Sequence, residues 1–199
     1  MTAPVPAGIA AIVDLARYPI ADLDTPAAQM VIDDCHRQLD ATGLCLLPAF
    51  VRAAARETMA AEARRLAPGA HHTEHWRASP HGDSGPAAGT IPQATRASIA
   101  AVAYDRLGAD SLLRRLYEWD GLTAFIAAAL DSGPLYRTVD PLVSCMLTVC
   151  RAGDELGWHY DPNDGVVSLQ LQDATGGGAF EFAPESARQA PRPTPSSVP

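Results

Sequence analysis

The chain is poor in several features that would classify it at once. It has four cysteines among 199 residues (Cys35, Cys45, Cys145 and Cys150), and no two of them form a CxxC pair. Cys145 and Cys150 are five positions apart, so on a strand they face opposite sides. That spacing suits neither a zinc site nor a disulfide framework, and free thiols in a reducing cytoplasm are expected. Basic charge is also scarce: 15 Lys and Arg stand against 23 Asp and Glu, for a net charge of −8. Binding nucleic acid or anionic lipid through a broad surface needs the opposite balance. Long apolar runs are missing as well. The longest near a helix, LTAFIAAAL (122–130), is far short of a membrane span. The opening MTAPVPAGIAAIVDLARYP has no basic leader before its apolar part and reaches Asp14 early, which makes a poor signal peptide. A cytoplasmic protein with no nucleic-acid or membrane partner is therefore expected. Its oligomeric state is not legible.

With 47% hydrophobic and 19% charged residues, the chain is long enough to bury a core in one soluble globular domain. Thr25 is placed to cap a helix that has Pro26 at its first position, where the missing N–H costs nothing. Met30, Val31, Cys35 and Leu39 follow near helical spacing, and Gly43 is a good stop. His36, alone in this helix, reads as a surface or packed histidine. Leu44–Leu47 (LCLL), ended by Pro48, reads as a short buried strand. A helix over 51–66 follows, rich in Ala, Arg and Glu. The stretch 68–92 holds four glycines, four prolines and four histidines, which marks a long loop. Three readings of it stay open: a metal pair of His71 and His75, a lid bringing His75 or Trp76 to substrate, and a plain surface loop. Ser111 caps a helix through Tyr117, and a second helix runs over 121–130. LYEWD (116–120) fills the joint between them. Leu142–Cys150 (LVSCMLTVC) is apolar enough for a buried strand. The turn that follows carries Asp154 and Glu155, paired carboxylates that suit an amine or guanidinium, or simply a solvated turn.

The most informative stretch is 153–184, GDELGWHYDPNDGVVSLQLQDATGGGAFEFAP. His159 and Asp161 are separated by one residue, so on a strand an imidazole and a carboxylate point the same way. His-x-Asp is two-thirds of the two-histidine, one-carboxylate face that holds non-haem Fe(II). Val167, Leu169 and Leu171 then alternate with polar residues. Gly176-Gly177-Gly178 supplies a turn, and Phe180 and Phe182 start a second alternating strand.

This order resembles the iron(II)/2-oxoglutarate-dependent dioxygenases, and more narrowly their branch of free-amino-acid hydroxylases and halogenases. The resemblance extends upstream through LYEWD and PLYRTVDPL (134–142) and covers roughly residues 18 to 185. It implies an α+β protein built on a double-stranded β-helix, a jelly-roll or cupin-like barrel with N-terminal helices. One domain over 1–185 is expected, helical over 18–133 and made of strands over 134–185, before a proline-rich disordered tail over 186–199. It also implies Fe(II) held by His159 and Asp161, 2-oxoglutarate as co-substrate, and a small polar substrate such as a free amino acid. Asp154, Glu155, His75 and Trp76 are the candidate substrate contacts. In the related halogenases a small residue replaces the carboxylate, so Asp161 implies hydroxylation. The family's second histidine and its 2-oxoglutarate-binding arginine lie on later strands, whereas here no histidine follows His159. The barrel is therefore expected to be incomplete at its C-terminal side, with iron weakly held. Two readings stand at this point: an oxygenase, or a catalytically dead fragment that serves as a partner-binding module.

Overall fold

The computed structural model describes residues 6–78, 94–159 and 165–182. Its helices are α1 (Ile9–Ile12), α2 (Pro26–Thr42), α3 (Ala53–Leu66), α4 (Leu112–Tyr117) and α5 (Asp120–Ala129). Its strands are β1 (His71–Ala78), β2 (Ala94–Val102), β3 (Leu147–Val149) and β4 (Glu155–Leu156). The class is α+β, and the four strands form one antiparallel sheet in the order β1-β2-β3, with β4 also paired to β2. The chain divides into two compact units. One takes described residues 6–71, 101–149 and 170–173; the other takes 72–78, 94–100, 150–159, 165–169 and 174–182.

The first unit is helical, and its caps follow the sequence. Thr25 Oγ1 accepts the Ala28 N–H at 3.3 Å, and Pro26 occupies the first position of α2. Gly43 closes the helix at φ 75°, where a β-carbon is disfavoured, and its N–H bonds the Leu39 carbonyl at 2.7 Å. Ser111 caps α4, and its hydroxyl donates to Glu62 Oε2 on α3 at 2.7 Å. His36 is a packing residue: its Nε2–H donates to the Ala128 carbonyl at 2.8 Å, joining α2 to α5. Ile9, Ile12, Val13, Ile20, Cys35, Met59, Trp119 and Phe125 form the core of this unit. Complete burial of a side chain of this size contributes about 1.5–3 kcal/mol. Leu116 and Trp119 of LYEWD are both buried, as a packing joint requires.

Several expectations need correction. The first regular element is α1, ahead of Thr25-Pro26, and its isoleucines lie at the centre of the core. Leu44–Leu47 is not a strand. After Gly43 the chain doubles back along α2, where Gln38 Oε1 accepts the Leu46 N–H at 2.9 Å and the Leu46 side chain is exposed. The span 18–133 is not wholly helical, because it contains β1 and β2, the two longest strands. The first of these occupies the start of the expected loop 68–92; positions 79–93, His81 among them, lie outside the described residues. Pairing between distant segments has overridden local composition there.

The span 134–185 carries less sheet than expected. Of Leu142–Cys150 only Leu147–Val149 is a strand, with Leu142, Val143 and Met146 exposed. Described residues 165–182 form no strand, and Val167, Leu169, Phe180 and Phe182 are exposed. An alternating pattern becomes a strand only where a neighbouring strand completes its ladder, and none does so here among the described residues. The tail over 186–199 lies outside them. All four cysteines are unbridged. Among the described residues no helix is long and apolar enough to cross a membrane.

Candidate functional site

The second unit contains most of the residues singled out in the sequence. Its frame is set by register. Ala97 and Ser98 of β2 lie opposite Leu156 and Glu155 of β4, and the Gly157 N–H continues the ladder to the Arg96 carbonyl at 2.9 Å. Directly opposed residues share a sheet face, and alternate residues of one strand do too. His72, Glu74 and Trp76 of β1 therefore lie on one face, with Arg96 and Ser98 of β2 and Glu155 of β4.

Polar side chains knit this face together. Ser98, which is buried, donates its hydroxyl to Asp154 Oδ1 at 2.9 Å. His72 Nε2 lies 3.1 Å from the same carboxylate oxygen and 3.2 Å from Ser98 Oγ. A carboxylate only accepts, so Nε2 carries the proton and His72 donates. Asp154 Oδ2 accepts the Arg151 N–H at 2.8 Å, closing the turn ahead of β4. These donors, the Arg151 N–H first and then His72, hold the Asp154 carboxyl below the usual aspartate range. Two residues along each strand, Arg96 Nε donates to Glu74 Oε1 at 2.8 Å. That bond lowers the Glu74 pKa and raises that of Arg96.

The expected substrate contacts separate on this frame. Trp76, 69% exposed, shares the face with Glu155 and the Asp154 cluster. His75 leaves β1 on the opposite face, so His75 and Trp76 do not line one pocket from this strand. Asp154 is occupied by three donors and serves as a staple between turn and sheet, while Glu155 is the exposed carboxylate of the pair.

His159 follows β4 and is half-buried. Its Nδ1 lies 2.8 Å from the Gly157 carbonyl, and a carbonyl cannot donate, so Nδ1 carries the hydrogen. A hydrogen on Nδ1 is the tautomer needed by a histidine that binds metal through Nε2. Asp161 lies outside the described residues. Among the described residues no three His, Cys, Asp or Glu side chains converge as a metal cluster. With its hydrogen on Nδ1, His159 is compatible with a metal ion at Nε2. Compared with protein-family models, curated proteins and solved structures, the chain matches none.

Sequence reasoning passed over Glu74, Arg96 and Ser98, and placed His72 only among the histidines of the expected loop. HHTEHWRA is polar or aromatic at nearly every position, and ATRASIAAV is mostly small residues. Neither has the apolar alternation that signals a strand; the first lay within the expected loop 68–92 and the second lies just beyond it.

Proposed function

We propose that the chain is an iron(II)/2-oxoglutarate-dependent oxygenase on a double-stranded β-helix, and that it hydroxylates a small polar substrate such as a free amino acid. The observation that carries the reading is the His159 ring, whose Nδ1–H is donated to the Gly157 carbonyl two residues before it. In the His-x-Asp motif His159 would supply Nε2 and Asp161 a carboxylate oxygen to Fe(II). When bound, iron with 2-oxoglutarate supplies the oxidant for hydroxylating a C–H bond. The protein orients the substrate. Glu155 and Trp76 share an exposed face, and Glu155 suits an amine. Asp161 keeps a carboxylate where the related halogenases have a small residue, which assigns hydroxylation.

The test is Fe(II) binding by the 199-residue chain under anaerobic conditions, in wild type, His159→Ala and Asp161→Ala. Wild type should bind iron weakly and release it to a chelator, and His159→Ala should not bind it. Any succinate formed from 2-oxoglutarate should vanish with the metal. Equal iron in wild type and both variants would sink the assignment.

A second reading draws on a different surface. Tyr136 and Val139 are 86% and 96% exposed, and Leu142, Val143 and Met146 are exposed beside them in sequence. Apolar side chains left in water are one mark of a surface that binds another protein. That reading gains if iron binding is unaffected by His159→Ala.

A further inference from the structure

We propose that Cys35 and Cys45 form a reversible intramolecular disulfide when the protein meets a peroxide oxidant. The site is made by the way α2 ends. Gly43 takes the left-handed conformation and reverses the chain, so 44–46 run back beside the helix they have just left. The return is pinned in two places. Thr42 Oγ1 donates to the Leu44 carbonyl at 3.1 Å, and the Leu46 N–H reaches Gln38 Oε1 at 2.9 Å, less than one helical turn beyond Cys35. Cys45 is thereby turned back toward α2, where it packs against the core cluster that contains Cys35 and neighbours that thiol. Neighbouring cysteines held on one margin of the core can bond once their sulfurs approach to about 2 Å.

The two cysteines differ in access, and this orders the chemistry. Cys35 is fully buried in the core, while Cys45 is half-buried at its margin. Burial, reinforced by the neighbouring Cys45, pushes the Cys35 thiol up to about 12, so it stays protonated at neutral pH. Cys45 is therefore the first to be oxidised. Its thiolate attacks the peroxide O–O bond, giving a sulfenic acid and hydroxide. The Cys35 sulfur then displaces hydroxide from the Cys45 sulfur and loses its proton. The S–S bond forms and water leaves, so that two thiols and one peroxide give one disulfide and two waters. Because Cys35 must shed a tightly held proton, the second step should quicken as pH rises. Cys150 is exposed and competes for oxidant, while Cys145 is half-buried with its thiol pKa raised by burial.

Trypsin reads the result directly, because Arg37 lies between the two cysteines. The purified full-length chain is treated with hydrogen peroxide, its remaining thiols are blocked, and it is digested without reductant. Peptides 18–37 and 38–52 should appear joined, lighter by two hydrogens than their sum, and should separate on adding dithiothreitol. Joining should persist in Cys150→Ser and vanish in Cys45→Ser, and Cys35 should stay a free thiol in the latter. The wild-type digest decides the matter even if a variant folds poorly. Unjoined peptides with Cys45 carried to sulfinic acid would overturn the proposal. So would Cys35 or Cys45 linked only to Cys145 or Cys150, or only between two molecules.

Discussion

Replacing Ile12 by Ala should cost the first unit about 3–4 kcal/mol, although Ile12 stands near the start of the chain. Ile12 is 1% exposed and lies in the core with Ile9 and Val13. The change removes three carbons, and at about 0.8 kcal/mol each the transfer cost is near 2.4 kcal/mol. A cavity penalty adds to this where the surroundings cannot collapse. They are well held here. The Ile12 carbonyl accepts the Arg52 N–H at 2.8 Å, the Asp14 N–H reaches the Phe50 carbonyl at 3.0 Å, and Val13 bridges Val51. With the backbone fixed on both sides, most of the cavity should persist, which places the total near the middle of the usual ~2–5 kcal/mol for such truncations. The assay is urea unfolding followed by the fluorescence of buried Trp119, with Trp76 and Trp158 changed to Phe. The midpoint should fall with the slope unchanged. Met30→Ala, at a position 72% exposed on α2, is the control and should shift stability by less than about 0.5 kcal/mol. A loss below ~1 kcal/mol for Ile12→Ala, or one equal to the control, would show that α1 is not part of the cooperative core.

Thr25→Ala should cost about 1 kcal/mol through loss of the α2 cap, read as a lower urea midpoint, with Thr25→Ser restoring most of it; no loss at all would mean that the cap is idle. The Asp154 carboxyl has a folded pKa below its unfolded value, so its stabilising share is complete above the ordinary aspartate range and is lost as pH falls through the lower folded value. Urea midpoints of wild type and Asp154→Asn should therefore differ at neutral pH and converge as pH falls through and below the ordinary aspartate range, and a constant gap across that range would refute the role given to the carboxylate.

What was legible in the sequence was local. Thr25, Pro26, Gly43 and Ser111 each act on backbone groups within four residues, so their roles follow from short-range chemistry. The α+β class was legible too, but the strands were not where alternation pointed. VVSLQLQ alternates well and is not a strand, whereas HHTEHWRA alternates poorly and is one. The difference lies outside both segments. β1 has β2 beside it to complete its backbone hydrogen bonds, and 165–171 has no such neighbour among the described residues. A pattern of side chains states which face could be buried, but the ladder decides whether a strand exists.

The same distinction governs the polar face of the second unit. Asp154 and Glu155 are adjacent, and as a pair of carboxylates they looked interchangeable. The turn that ends at Asp154 aims its carboxylate at Ser98 and His72, and β4 then begins at Glu155, directly opposite Ser98. One carboxylate is thereby drawn into a network that fixes the turn, while the other is left exposed on the same face. Arg96 is claimed in the same way, by Glu74 across the strand pair. Three acidic side chains and one guanidinium share that face, and two of the four are already bound to each other. A cationic group arriving there would meet Glu155 first, because displacing Asp154 would strip the buried Ser98 hydroxyl of its acceptor, a loss that exceeds what a solvent-exposed ion pair returns.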